Sequence, residues 1–197
     1  MATQLCAAVS EPVRHVPSPD SLAAIRDRDA ALAIWKRATP VDLAAALDAL
    51  CLDAVDDVEC PIGPSGCDLA DTLMAAGYGA DIAMLLARDI ATLAGTFAPI
   101  AGAARLKLRL EIVETDACRR FHSDFVTYRL LTTYRGQATQ WARADTPEVI
   151  EEMAAGDVAI FKGRVLLDEP PILHRSPPIE ARGEQRLLMV LDPWPEP

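Results

Sequence analysis

The 197-residue sequence has few basic side chains for its size. It contains 19 lysines and arginines against 29 aspartates and glutamates, so its net charge is −10. Non-specific binding to nucleic acid requires a positive surface that displaces counterions, and we therefore expect no nucleic-acid partner. Residues 1–100 hold 6 basic and 14 acidic residues, whereas residues 101–197 hold 13 and 15. The arginines of the second half would suit a small anionic ligand, although dispersed surface arginines explain them equally well.

Cysteine is also scarce, since the five cysteines are odd in number and irregularly spaced. They match neither a disulfide framework nor the paired short spacing of a structural zinc site. A clip between Cys60 and Cys67 across the loop CPIGPSGC is one alternative, but reduced cysteines fit the sequence better. We therefore predict a cytoplasmic protein.

The chain also lacks a long uninterrupted apolar run. Residues 1–16 have no basic n-region and too short an apolar core for a signal peptide. The most apolar stretch, residues 82–104, contains Arg88 and Asp89 near its centre, where a membrane span tolerates charge least. We predict no membrane segment and no membrane partner.

Helical periodicity dominates the first hundred residues. Residues 1–19 contain three prolines and are predicted to form an extended lead-in. Helices are predicted over residues 21–37 and 39–52, and a further helical region starts at Asp68, breaks at residues 77–79 and resumes over 81–97. Residues 53–66 are predicted to be an acidic loop. This pattern favours a mainly helical region over residues 20–100.

From Arg105 onward the period of the apolar residues changes to two. Residues 106–112 alternate leucine or isoleucine with charged residues, which is typical of a strand with one face toward solvent. Further strands are predicted over residues 125–134, 157–162, 171–175 and 186–192, with a short capped helix over 145–155. Short strands at this spacing favour a sandwich or jelly roll. The predicted fold class is α+β, with the mainly helical N-terminal half packed on a C-terminal jelly-roll or cupin-like barrel over residues 101–197. We expect the two halves to form one compact unit.

Two of the three histidines belong to a pattern that suits a metal ion. His122 and Asp124 are two residues apart, which places both side chains on one face of a strand, and His174 can complete a set of three ligands. Two histidines and one carboxylate with open coordination positions form the facial triad of non-haem Fe(II) oxygenases. The same ligands would suit Zn²⁺ with an activated water, or a protein that only binds or senses metal. Structural histidines in a barrel are the remaining alternative.

The order of motifs after residue 155 adds a resemblance. The succession of Gly156-Asp157, Phe161, His174, Pro177-Pro178, Gly183 and Arg186, followed by the strand LLMVLD, resembles the second half of the double-stranded β-helix in 2-oxoglutarate/Fe(II) oxygenases. The resemblance implies that Fe(II) and 2-oxoglutarate are cofactors, with 2-oxoglutarate decarboxylated to succinate while a substrate C–H bond is attacked.

In that superfamily a basic residue on the last core strand binds the distal carboxylate of 2-oxoglutarate. By position this residue is Arg186, twelve residues after His174, and a guanidinium binds a carboxylate through two parallel hydrogen bonds. Arg175 and Arg182 compete for the role.

The strand after the HSD motif offers two further candidates for the cofactor pocket. Tyr134 and Tyr128 share one face of this strand and Arg129 lies on the other, so at most one set can line the pocket. Ordinary strand packing is an equally good explanation of all three.

Three longer blocks resemble one family over roughly residues 20–192. The blocks FHSDFVTYRLLTTYRGQATQW, GDVAIFKG and ILHRSPPI are similar to an uncharacterised bacterial family, the domain of unknown function number 1826. The resemblance implies no established activity, and its association with metal homeostasis implies zinc as an alternative metal. The substrate, a small molecule or a protein, stays open. A helical half beside a small barrel offers a surface for a homodimer.

Overall fold

The computed structural model describes residues 11–63 and 68–194, which form two β-sheets and a layer of helices. The strands are β1 (Val13–Val16), β2 (Leu32–Trp35), β3 (Val58–Ile62), β4 (Leu106–Val113), β5 (Tyr128–Arg135), β6 (Gln140–Arg143), β7 (Thr146–Glu152), β8 (Val158–Lys162), β9 (Ile172–Arg175) and β10 (Arg186–Pro193). The α-helices are α1 (Val41–Ala49), α2 (Leu69–Ala75) and α3 (Ala80–Ala101), and the 3₁₀ helices are Asp20–Arg26, Leu52–Ala54 and Glu180–Arg182.

The strands of the second half alternate between two sheets. The seven-stranded sheet has the order β1-β2-β8-β5-β10-β4-β3, and the three-stranded sheet has the order β7-β6-β9. His122 extends the smaller sheet through an isolated antiparallel bridge to His174 on β9. Along the chain the path therefore runs from β4 to the His122 bridge, β5, the β6–β7 hairpin, β8, β9 and β10, changing sheet at each step. This alternation is the double-stranded β-helix, and its interior lies between the two sheets.

Each strand of the larger sheet has one face toward the helices and one toward the barrel interior. On β4, Leu106, Leu108 and Leu110 are fully buried in the cluster that includes α3, and the alternate residues of β5 and β10 join the same cluster. The opposite faces of β5 and β10 contribute Leu131 and Val190 to a second cluster inside the barrel. The alternation along each strand therefore places one set of side chains against the helices and the other set on the wall of the barrel interior.

Helix α3 covers the outer face of the larger sheet. It begins after Gly79 and ends at Gly102, whose positive φ of 66° suits the left-handed residue that terminates a helix. By length and composition α3 could cross a membrane, but half of its most apolar window is buried within the protein. Asp89, in its middle, forms a bidentate pair with Arg37. We assign α3 as the core helix of this fold.

The N-terminal half is mixed rather than mainly helical. The predicted helix over residues 21–37 is a short 3₁₀ helix followed by β2, and the predicted lead-in contains β1, which pairs with β2 in parallel. The sequence of β2, LAIW, is a short apolar run that periodicity cannot assign to a helix or a strand, and its pairing with β8 decides the outcome. Residues 1–10 and Cys67 lie outside the described residues.

Two further predictions of secondary structure, one of a loop and one of a helix, are also wrong. The predicted acidic loop over residues 53–66 contains β3, which pairs with β4. The predicted helix over residues 145–155 is strand β7, which forms a hairpin with β6 through Ala144 and Asp145. The sequence Asp-Thr-Pro-Glu suits a helix cap, but cross-strand pairing with β6 prevails over this local signal. Helices α1, α2 and α3 lie close to their predicted positions.

Candidate metal centre

Backbone pairing brings the two histidines together. The His122 amide donates to the His174 carbonyl at 3.0 Å, and the His174 amide donates to the His122 carbonyl at 2.9 Å. Residues paired in this way have side chains on the same face of the sheet. The two imidazole centroids are therefore 4.7 Å apart, on the face of the smaller sheet that looks into the barrel.

Asp124 completes a group of three possible ligands. One ligand atom from each of His122, Asp124 and His174 can be chosen such that all three lie within 4.8 Å of one another. Asp124 Oδ2 lies 3.1 Å from His174 Nε2, and Asp124 Oδ1 lies 3.7 Å from His122 Nε2. Two nitrogens and one oxygen on one side of a site are a suitable donor set for a divalent transition metal.

The hydrogen bonds of the group leave its ligand atoms available. His122 Nδ1 lies 2.8 Å from the Arg120 carbonyl, to which it donates, and this bond leaves Nε2 as the free ring nitrogen. Asp124 Oδ2 is buried and accepts no hydrogen bond of acceptable geometry, although Arg129 and His174 lie close to it. A buried carboxylate oxygen with badly aligned donors is suited to an additional cation. The residues present fit a metal ion.

The protonation states also suit a metal ion. Burial lowers the pKa of His174, although Asp124 opposes the shift, so the imidazole is held neutral. Burial alone would raise the pKa of Asp124, but the nearby His174 imidazole and the charge of Arg129 outweigh it and hold the pKa well below its ordinary value. A neutral imidazole and an ionised carboxylate are the forms that bind metal.

A glycine in the loop after β8 positions the segment that contains Asp124. The Gly163 amide donates to the Thr127 carbonyl, and the Arg164 amide donates to the Asp124 carbonyl, both at 2.9 Å. A Cβ atom on Gly163 would lie 2.2 Å from the Val126 carbonyl oxygen, which no real side chain tolerates. Glycine at this position therefore permits the two segments to pack at their observed distance.

The candidate ligands lie at one end of a cavity of about 470 Å³ between the two sheets. Along β5 its wall runs from Arg129 to Leu131, and along β10 from Asp192 through Val190 to Leu188. Arg129 lies beside the ligands, with Nη1 2.6 Å from Asp124 Oδ2 and two hydrogen bonds of 2.8 Å to Asp192. The structure therefore places Arg129 in the pocket, at the end near the candidate ligands.

Arg186 lies at the other end of the same interior face. It is fully buried, and its guanidinium donates only to hydroxyl groups, those of Ser176 at 2.9 Å, Thr133 at 3.2 Å and Thr139 at 3.4 Å. Its Nε has no partner among the described residues. Burial lowers the pKa of Arg186 to about 10. Among residues 11–63 and 68–194, no carboxylate pairs with this guanidinium. Because an unpaired buried charge is costly, an anionic ligand that binds Arg186 would stabilise it.

Tyr134 does not reach this cavity, contrary to one of the predictions. Its hydroxyl donates to Asp89 at 2.7 Å on the helix side of β5, where burial raises its pKa well above the ordinary value. The alternation along β5 puts Tyr128 and Tyr134 on the face opposite Arg129, as the sequence indicated, and the arginine face is the one that lines the pocket.

The two competing arginines do not share the environment of Arg186. Arg175 lies at the cavity edge, where it stacks over Phe121 at 4.5 Å and donates to Gln140. Arg182 is exposed and pairs with Glu184 at 3.1 Å. Sequence reasoning missed Asp192, which holds Arg129, and the hydroxyls around Arg186. Asp192 follows Arg186 by an even number of residues on one strand, which is the signal that could have placed it on the same face.

The fold is similar to that of several solved oxygenases. The rice dioxygenase for auxin oxidation has a TM-score of 0.57 at 14% identity, over 93% of this chain and 82% of that chain. Dioxygenase for auxin oxidation 1 from Arabidopsis thaliana, solved with 2-oxoglutarate, has a TM-score of 0.54 at 9% identity, over 95% and 94%. A prolyl-4-hydroxylase from Pseudomonas putida has a TM-score of 0.51 at 18% identity, over 95% and 100%. Identities this low show the double-stranded β-helix fold alone.

At the level of sequence, a family model described as "Protein of unknown function (DUF1826)" matches residues 17–192. No curated protein matches the chain.

Proposed function

The chain belongs to the DUF1826 family of proteins of unknown function, and we propose that it is an Fe(II)- and 2-oxoglutarate-dependent oxygenase. One observation carries the proposal. Arg186 is a fully buried cation that donates only to hydroxyl groups, and two of these, on Ser176 and Thr139, line the cavity that also holds the candidate metal ligands. A dicarboxylate that binds the metal at one end and a guanidinium at the other supplies the anion that Arg186 lacks.

His122, Asp124 and His174 would hold the metal. Their nitrogen and oxygen donors leave the cavity side open, and an open side is the difference between a catalytic and a closed structural site. Fe(II) with 2-oxoglutarate supplies the activation of O₂, coupled to decarboxylation of the cosubstrate to succinate and to oxidation of a substrate C–H bond.

The residues of this chain would bind and orient the cosubstrate. Arg186 would bind its distal carboxylate, with the hydroxyls of Thr133, Thr139 and Ser176 fixing the guanidinium in place.

The apolar part of the wall would shield the middle of the cosubstrate. Leu131 lies between Arg129 and Thr133 on β5, and Leu188 and Val190 lie between Asp192 and Arg186 on β10. These three side chains occupy the interior face between the charged ends, and would keep water from the aliphatic part of 2-oxoglutarate.

Arg129 would keep Asp124 in one orientation. It is held at two points by Asp192 and contacts Asp124 Oδ2, so the carboxylate of Asp124 has little freedom to rotate. A fixed carboxylate presents one oxygen toward the histidines.

The test is an anaerobic titration of purified apoprotein with Fe(II) and then 2-oxoglutarate, in which the weak visible charge-transfer band of the chelate is recorded. His122→Ala and Arg186→Met should each abolish the band, whereas Arg182→Met, which removes an exposed arginine nearby, should leave it unchanged. Stoichiometric metal binding that depends on His122 but gives no band would refute the oxygenase and leave zinc chemistry or metal handling. If no metal binds, both histidines have a structural role and the proposal is wrong.

A further inference from the structure

The charged face of β4 lines the cavity. The alternation of Lys107, Arg109 and Glu111 suggested a face toward open solvent, but all three side chains border the cavity, together with Glu59 of the neighbouring strand β3. Their side chains are between 23% and 61% exposed, which is the exposure of groups in contact with both the protein and the cavity. The register with β10 places Lys107 opposite Asp192, near the candidate metal ligands, and Glu111 opposite Leu188, toward Arg186.

The charges of this wall are arranged as a series of pairs. Lys107 Nζ lies 2.6 Å from Glu59 Oε1, Arg109 Nη1 lies 2.8 Å from Glu111 Oε1, and Arg109 Nη2 lies 3.7 Å from Asp192 Oδ2. The exposure of the acidic partners rises from 12% at Asp192 to 31% at Glu111 and 61% at Glu59. The exposure therefore rises across the sheet, from Asp192 on β10 through Glu111 on β4 to Glu59 on the edge strand β3.

The formal charges of the wall cancel, which restricts the ligand it can accept. The three cations Lys107, Arg109 and Arg129 face the three carboxylates Glu59, Glu111 and Asp192. An apolar ligand would remove these groups from water without replacing their hydrogen bonds, at a large cost. A ligand with a single sign of charge would be attracted by half of the wall and repelled by the other half. A ligand that carries both charges can satisfy both.

The Arg109–Glu111 pair is the part of the wall best suited to bind such a ligand. In the described part of the chain, the hydrogen bonds of Arg109 use Nη1 alone, so its other guanidinium donors can bind a carboxylate, and Glu111 uses only Oε1. The cavity is shared with the cosubstrate, so the remaining space suits a small molecule rather than a polymer.

We infer that the substrate is a small zwitterion of the amino-acid type, with its carboxylate on Arg109 and its ammonium group on Glu111. Its description as a substrate rests on the proposed oxygenase function, whereas its binding to this wall does not. The Arg109–Glu111 pair is then a specificity-determining pair, and it holds the ligand in the cavity that the candidate metal ligands also line, without being a metal ligand.

The experiment measures binding of individual L-amino acids to the full chain by isothermal titration, under anaerobic conditions with Fe(II) and 2-oxoglutarate present. Decanoate serves as an apolar acid and glucose as an uncharged polyol. We expect at least one amino acid to bind, and Arg109→Gln and Glu111→Gln each to weaken it about ten- to a hundredfold, the range for loss of a hydrogen bond to a charged group. Both variants should retain the charge-transfer band with 2-oxoglutarate, which shows that they fold.

Arg182→Gln and Glu184→Gln form the matched control, because this pair has the same two-residue spacing and an exposed position outside the cavity. Neither control should change amino-acid binding. If no amino acid binds, if decanoate or glucose binds instead, or if binding is unaffected by Arg109→Gln, the inference is wrong even where the band is present. If the wild type gives no band but an amino acid binds in dependence on Arg109 and Glu111, the zwitterion site stands and the oxygenase proposal fails.

Discussion

Replacing Arg186 with methionine should leave the stability of the apoprotein nearly unchanged, whereas the same replacement at Arg37 should reduce it strongly. Both side chains are buried, but they have different partners. Arg37 forms a bidentate pair with Asp89, with distances of 2.6 and 2.8 Å, and also donates to the Gly156 carbonyl. Arg186 meets three neutral hydroxyls. Only Arg37→Met therefore leaves a buried carboxylate without its cation.

The expected magnitudes follow from these contacts. Burial lowers the pKa of Arg186 from 12.5 to about 10, and this difference corresponds to about 3 kcal/mol against the charged form in the folded state. Arg186→Met removes that cost together with the hydrogen bonds to Ser176 and Thr133, of about 1.5 kcal/mol each at the lower end of the range for a charged donor, while the bond to Thr139 is long and weak. The two effects therefore nearly cancel. Arg37→Met should lower the free energy of unfolding by about 3–5 kcal/mol, the range for a buried pair that loses one partner.

Urea unfolding of the two apoprotein variants, followed by far-ultraviolet circular dichroism, measures this contrast. We expect Arg186→Met within about 1 kcal/mol of the wild type, with its stabilisation by 2-oxoglutarate and metal lost. If Arg186→Met is as unstable as Arg37→Met, Arg186 is a structural residue. Its burial would then no longer support a role in binding an anionic cosubstrate.

Three further changes test individual contacts. Gly163→Ala should displace the segment that contains Asp124 and so weaken metal binding about ten- to a hundredfold, the range for loss of a group that orients a metal ligand. Gly79→Ala is the control, because the space around its Cβ is open and metal binding should not change. Competition with a chelating dye measures the metal affinity of both variants. Tyr134→Phe should lower the free energy of unfolding by about 1.5–3 kcal/mol in urea, because Asp89 loses a hydrogen bond, and leave 2-oxoglutarate binding unchanged. Burial raises the pKa of Tyr78 to about 12, so its neutral form is favoured in the fold and stability should fall from about pH 10 to 12; Tyr78→Phe should flatten this fall in urea titrations across that range.

Those parts of the fold that depend on local pattern could be predicted from the sequence. Strand β4 begins with four apolar residues in strict alternation, and it was predicted to within a residue at each end. The candidate ligands could also be chosen in advance, because a spacing of two puts His122 and Asp124 on one side of an extended chain. The partner histidine was reachable because the chain contains so few histidines.

The remaining errors arise where distant pairing decides the structure. The run LAIW in β2 is too short to show a period, and β8, more than a hundred residues later, determines that it is a strand. Residues 145–155 have a helix-capping signal, but the antiparallel pairing with β6 prevails. The orientation of β5 could be stated only as two alternatives, because the choice between Arg129 and Tyr134 depends on which face meets the helices.

The charged face of β4 shows that a correctly predicted strand does not by itself locate a binding site. Alternating leucine and charge predicts a strand with one polar face, and this pattern is identical whether the polar face meets bulk water or the inside of a barrel. Closure of the barrel by the smaller sheet decides between the two, since it puts His122 and His174 opposite this face. Charged residues inside a barrel have a cost that solvent-facing residues lack, and internal pairing, as between Arg109 and Glu111, offsets it. On an interior wall, paired charges of both signs therefore indicate a binding surface. The same residues read from the sequence alone indicate only a strand face in contact with water.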